Sequence, residues 1–130
     1  MHRLAVLAIL ALLAGCNKFE TEKAIFVANN KSDSSIEVKV DGGQRQQVGA
    51  KDSTRFTVEI LVPTREVYGY TTPESSVDKV VRVGVSVKNL LTGSLTNTTC
   101  DAGAKLITTV TYEVTGYGNE YLRCERSYSY

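Results

Sequence analysis

Val81, Val83, Val85 and Val87 alternate with Arg82, Gly84, Ser86 and Lys88. This spacing constrains the fold more than any other feature of the chain. Successive side chains of an extended strand point to opposite faces, so it puts four valines on one face and the polar set on the other. A helix would scatter the same valines around its circumference, and β-branched side chains lose rotamer freedom there. The period recurs elsewhere. Ile36, Val38 and Val40 oppose Glu37 and Lys39, and Phe56, Val58, Ile60 and Val62 form a further apolar face that Pro63 ends. Ala24 to Asn29 reads as the first strand. Asp41-Gly42-Gly43 is a turn into a return strand from Gln46 to Ala50. Leu91-Thr92-Gly93 turns into Leu95 to Cys100, Asp101-Ala102-Gly103 turns into Lys105 to Val114, and Tyr121 to Tyr128 closes the series. About seven or eight short strands at regular spacing predict an all-β fold, an antiparallel β-sandwich that is immunoglobulin-like or similar.

The 130 residues suit one domain. Fifteen Lys and Arg against fourteen Asp and Glu, scattered singly, give no concentrated basic face, so no nucleic-acid partner is expected. The single histidine is His2. Histidine is the usual base near neutral pH and the commonest metal ligand. Downstream of residue 2, Ser-His-Asp and Cys-His catalysis are therefore excluded, and the chain is expected not to be an enzyme. No cofactor and no metal site is expected either.

The amino-terminal residues carry a different signal. Met1-His2-Arg3 is a short basic start, and Leu4 to Leu13 is an unbroken apolar run. It is shorter than the roughly 20 residues a membrane-spanning helix needs and has the length of a secretory h-region. Leu13-Ala14-Gly15-Cys16 follows at once. The segment resembles the lipobox and type II signal peptide of bacterial lipoproteins. The resemblance implies cleavage before Cys16, a diacylglycerol on its sulfur and usually a third acyl chain, such as palmitate, on the new amino group. Two or three chains anchor stably where one does not, each buried methylene contributing about 0.8 kcal/mol.

The resemblance sets off a signal peptide over 1–15 and the lipidated Cys16 with a polar tether through residue 23, and the strand pattern makes the rest a β-sandwich domain over 24–130. It also implies a membrane-bound protein of the cell envelope. Asn17, rather than Asp, follows the cysteine. By the sorting pattern of enteric-type lipoproteins this favours the outer membrane, facing the periplasm. The seven tether residues span at most about 25 Å, which keeps partners near the same membrane.

With Cys16 acylated, Cys100 and Cys124 remain of the three cysteines. In an exported chain two leftover thiols read as one disulfide. A redox pair or metal thiolates are the alternatives, and both favour closer spacing.

Other motifs are weak. Ser76-Val77-Asp78-Lys79 matches the S-x-x-K of serine acyl-enzymes but lacks their companion elements. Glu66, Glu74 and Asp78 share the longest irregular stretch, with no spacing that demands glycoside chemistry. Asp41 and Asp101 lack a dense calcium loop around them. Tyrosines are more suggestive, because they join a large apolar face to a hydroxyl. Tyr112 and Tyr121 are expected to pack in the sandwich. Tyr68 and Tyr70, flanking Gly69 in the loop from Val67 to Thr72, form the candidate partner-contact site.

Together these features predict a non-enzymatic, lipid-anchored envelope lipoprotein acting as a binding, accessory or structural module. Its partner would be an envelope protein or glycan. The alternative is a small periplasmic inhibitor of a hydrolase such as lysozyme.

Overall fold

A computed structural model describes residues 19–63 and 80–128, which form eight strands. They are β1 (Phe19–Asn30), β2 (Ile36–Val40), β3 (Gln46–Val48), β4 (Ser53–Pro63), β5 (Val81–Asn89), β6 (Leu95–Ala102), β7 (Leu106–Val114) and β8 (Glu120–Tyr128). Two four-stranded sheets pack face to face, ordered β4-β1-β7-β8 and β3-β2-β5-β6. The expected all-β sandwich is thus the observed one. In an immunoglobulin domain the first two strands share a sheet, whereas here β1 and β2 lie in opposite sheets.

The strand pairs are antiparallel except β1 with β7, which run parallel from Ile25 opposite Ile107 to Asn30 opposite Tyr112. A parallel pair needs a long crossover, and five intervening strands supply it.

The alternation read from the sequence is the packing pattern. Ala24, Phe26 and Ala28 of β1, Ile36, Val38 and Val40 of β2, Val58, Ile60 and Val62 of β4, and Val85 and Val87 of β5 are all buried between the sheets. Phe26 stacks on Phe56 of the neighbouring strand at 5.9 Å between ring centroids. Each valine, isoleucine or phenylalanine of this set contributes roughly 1.5–3 kcal/mol when fully buried.

Gly84 interrupts the valine strand for a specific reason. β2 ends at Val40, and Asp41 at the turn lies with its side chain against Gly84 of β5. Its N–H donates to the Gly84 carbonyl at 2.9 Å, and its Oδ2 accepts from the Gly84 N–H at 3.1 Å. A Cβ at Gly84 would lie 2.5 Å from that carboxylate oxygen.

The disulfide joins Cys100 of β6 to Cys124 of β8 with Cα atoms 5.7 Å apart. These are edge strands of opposite sheets, so the bond closes one flank of the sandwich.

Several boundaries differ from expectation, among them that of β6, which runs on through Asp101 and Ala102 of the expected turn. The return strand β3 is three residues long. More consequentially, β1 starts at Phe19, so residues 19–23, assigned above to a tether, belong to the sheet. Phe19 pairs with Pro63 and Lys23 with Glu59. Polar side chains hid this segment, because the main-chain ladder to β4 holds it. β7 begins level with Ala24, so 19–23 and 59–63 form a two-stranded ribbon projecting past it.

Candidate functional site

The connections gather at two ends. The ribbon of Phe19 and Pro63, the β2–β3 turn and the start of β5 mark one. The other holds the short loops after β1, β3, β5 and β7. Tyr68 and Tyr70 lie outside the described residues, as do Glu66, Glu74 and the Ser76–Lys79 motif. Both limbs of that segment, Pro63 and Val81, leave from the first end.

The loop end is organised by buried polar side chains. Asn30, at the close of β1, donates through Nδ2 to the carbonyls of Ser34 at 2.7 Å and Gly49 at 3.0 Å. Its Oδ1 accepts from the backbone N–H and the hydroxyl of Ser32. One amide thereby fastens the β1–β2 loop to the β3–β4 turn, and Lys51 adds a bond from Nζ to the Lys31 carbonyl.

Asn89 does the same at the close of β5. Its Oδ1 accepts from the N–H groups of Leu91 and Thr92 at 2.9 and 3.2 Å, which shapes the β5–β6 hairpin, and its Nδ2 donates to the Tyr112 hydroxyl at 3.1 Å. Gly93, at φ +75°, closes that hairpin. Tyr112, buried on β7, donates in turn to Glu120 at the start of β8. Glu120 also accepts from the hydroxyls of Ser94 and Thr96.

Three hydroxyls therefore converge on one carboxylate. They hold its pKa below the ordinary carboxylate value, the Ser94 bond contributing most and Tyr112 next, against opposing desolvation. The Tyr112 phenol is pushed up, first by burial and then by its bond to Glu120. An ionised carboxylate saturated with donors and a neutral phenol make a brace. It locks the β5–β6 hairpin to the β7–β8 hairpin, whose own turn is closed by the Gly118 N–H to the Thr115 carbonyl at 2.9 Å.

What these braced hairpins carry is apolar. Leu91 is 80% exposed and Tyr117 is 96% exposed, and Leu90, Leu95 and Tyr121 are exposed beside them in sequence. Tyr121, expected in the core, instead faces outward opposite Glu113, because the inward positions of β8 fall to Leu122 and Cys124. A recess of about 430 Å³ at this end is lined by Lys31, Ser32, Asn89, Thr92 and Thr115 among others. Large side chains held on rigid turns, next to hydroxyls and amides, suit contact with a partner. In the sequence Leu91-Thr92-Gly93 reads only as a turn. The available signal was two leucines where turns are ordinarily polar.

The other sequence candidates have structural roles. Asp41 caps Gly84, and Asp101 stands between Arg82 at 3.7 Å and Arg126 at 3.4 Å. Among the described residues, no group of three or more His, Cys, Asp or Glu side chains is placed to hold a metal. No family model, curated protein or solved structure matches the chain.

Proposed function

We propose that this chain is a non-enzymatic lipoprotein of the cell envelope, acylated at Cys16, whose sandwich binds a protein or glycan near its own membrane. The outer membrane, on its periplasmic side, is the location that Asn17 favours. One observation carries the choice of binding surface: the braced hairpins with Leu91 and Tyr117 lie at the opposite end of the sandwich from Phe19, three positions after Cys16. At about 3.3 Å per residue, the twelve residues of β1 raise that end roughly 40 Å from the anchored one.

The test is photo-crosslinking in intact cells, with the crosslinker at Leu91 or Tyr117 and a control at Glu59 on the flank. A discrete adduct from the two tip positions and none from the control supports the reading. Adducts from Glu59 alone would move the contact to the flank. Inhibition of lysozyme by the chain from Asn17 onward, lost in Tyr117→Ser, would instead favour an inhibitor.

A further inference from the structure

The ribbon that projects past β7 has a feature that its backbone role does not require. On β1 and β4 the even-numbered residues from Ala24 and Val58 point into the sandwich, so Phe19, Thr21 and Lys23 point outward with Glu59, Leu61 and Pro63 across from them. At its free end this outer surface is apolar. Phe19 is 58% exposed and Leu61 is 65% exposed, and Pro63 lies directly opposite Phe19.

We propose that this corner, Phe19 with Leu61 and Pro63, rests in the headgroup region of the lipid bilayer that holds the Cys16 acyl chains. The inference depends on acylation at Cys16 and goes beyond it, because an anchor alone leaves the domain free to tumble. The occupant follows from chain length. Only Asn17 and Lys18 separate Cys16 from the first paired residue. Three residue steps reach at most about 10 Å, so a strand starting at Phe19 cannot stand clear of a surface in which Cys16 is embedded.

The side chains at that height are a phenylalanine, a leucine and a proline, with Lys23 and Glu59 farther along the ribbon. Aromatic and aliphatic groups are stabilised at the boundary between headgroups and acyl chains, about 5–10 Å deep. Covalent anchor and apolar corner then make two attachments, which point the braced hairpins away from the membrane.

The chain contains no tryptophan, so a single introduced one reports its own depth. The acylated full chain, extracted from the membrane and reconstituted in phosphatidylethanolamine–phosphatidylglycerol vesicles, is compared as Phe19→Trp, Leu61→Trp, Leu91→Trp and Tyr117→Trp. All four positions are exposed, so each variant should fold, and circular dichroism checks this. With acyl chains brominated near the headgroup, emission from Phe19→Trp and Leu61→Trp should be blue-shifted and clearly quenched, as for a ring in the interfacial layer. Emission from the two hairpin variants should be unchanged. Adding Leu61→Glu to Phe19→Trp should reduce the quenching.

Two results overturn the proposal, and they differ. A purified chain with no acyl mass removes this inference together with the anchor beneath it. An acylated, vesicle-bound chain whose Phe19→Trp and Leu61→Trp emission is unquenched, or quenched no more than Leu91→Trp, leaves the anchor standing and refutes the docked corner alone.

Discussion

Replacing Tyr112 with Phe deletes one oxygen and keeps a buried ring, so the substitution isolates the brace from the core. Two bonds go with that oxygen. Asn89 Nδ2, in a buried side chain, loses its acceptor at 3.1 Å, and Glu120 loses one of its three hydroxyl donors. A hydrogen bond to a charged group is worth about 1.5–3 kcal/mol, and a stranded buried donor costs a further 1 kcal/mol or more. Glu120 retains Ser94 and Thr96 and is partly open to solvent, which favours the lower part of that range. The expected loss is about 2–3 kcal/mol, or roughly 10 °C in Tm for a domain of this size.

The pH profile discriminates further. Glu120 has a folded pKa below its ordinary value of 4.5, so its contribution is present above that pH and is lost as pH falls through the folded value. Tyr112 has a folded pKa above 10.0, so its contribution is present below 10 and is lost as pH rises toward the folded value. The variant lacks the second titration and has a weakened first. The stability difference between wild type and Tyr112→Phe should therefore be widest on a plateau from about pH 5 to 9 and narrow on both sides. Urea denaturation of the oxidised proteins across that range measures it. A difference below about 0.5 kcal/mol, the size of an ordinary surface substitution, or one that is flat with pH, would refute the brace.

Further outcomes follow from other contacts. Reducing the Cys100–Cys124 bond, which closes a separation of 24 residues, should cost about 3 kcal/mol; a thiol titration showing two reactive groups before reductant would contradict the bond itself. Gly84→Ala forces Asp41 off its bond and should cost about 1–2 kcal/mol, most of which disappears in an Asp41→Ala background; strictly additive losses in denaturation would show that the carboxylate is not the obstacle. Asn30→Asp turns the Nδ2 donor into an oxygen facing the Ser34 and Gly49 carbonyls, so it should lower Tm at neutral pH more than Asn30→Ala does; the reverse order would mean that the amide is not what ties those loops.

Much of the fold was legible because burial here follows period two. The valines of β5 and the apolar sets of β2 and β4 announced their inward faces, and the turns were visible at Gly42 and Gly93. The disulfide was legible by subtraction once Cys16 was assigned elsewhere. The start of β1 was not legible. From Phe19 to Lys23 the inward positions are glutamates, Glu20 and Glu22, so the cue that located the other strands is reversed. The parallel β1–β7 pair was equally hidden, since alternation says which face a residue takes and nothing about which strand lies beside it.

The hairpin end that carries Leu91 and Tyr117 was the least legible part, for a physical reason that concerns particular residues. Asn30, Asn89 and Glu120 look in the sequence like ordinary solvated side chains at strand ends. The burial of the two asparagines and much of the bonding of all three depend on partners 18 to 26 positions away, among them Val48 and Gly49 for Asn30, Tyr112 for Asn89, and Ser94 for Glu120. Apolar alternation needs only the neighbours in one strand to be recognised, whereas a buried polar brace exists only when several turns meet. The same meeting of turns changes the reading of Leu91 and Tyr117. On a loose loop, exposed apolar side chains would collapse onto the nearest surface. Where Asn89, Tyr112 and Glu120 brace the hairpins, Leu91 and Tyr117 stay exposed to solvent, and a polar brace with no period of its own is what shapes the apolar tip.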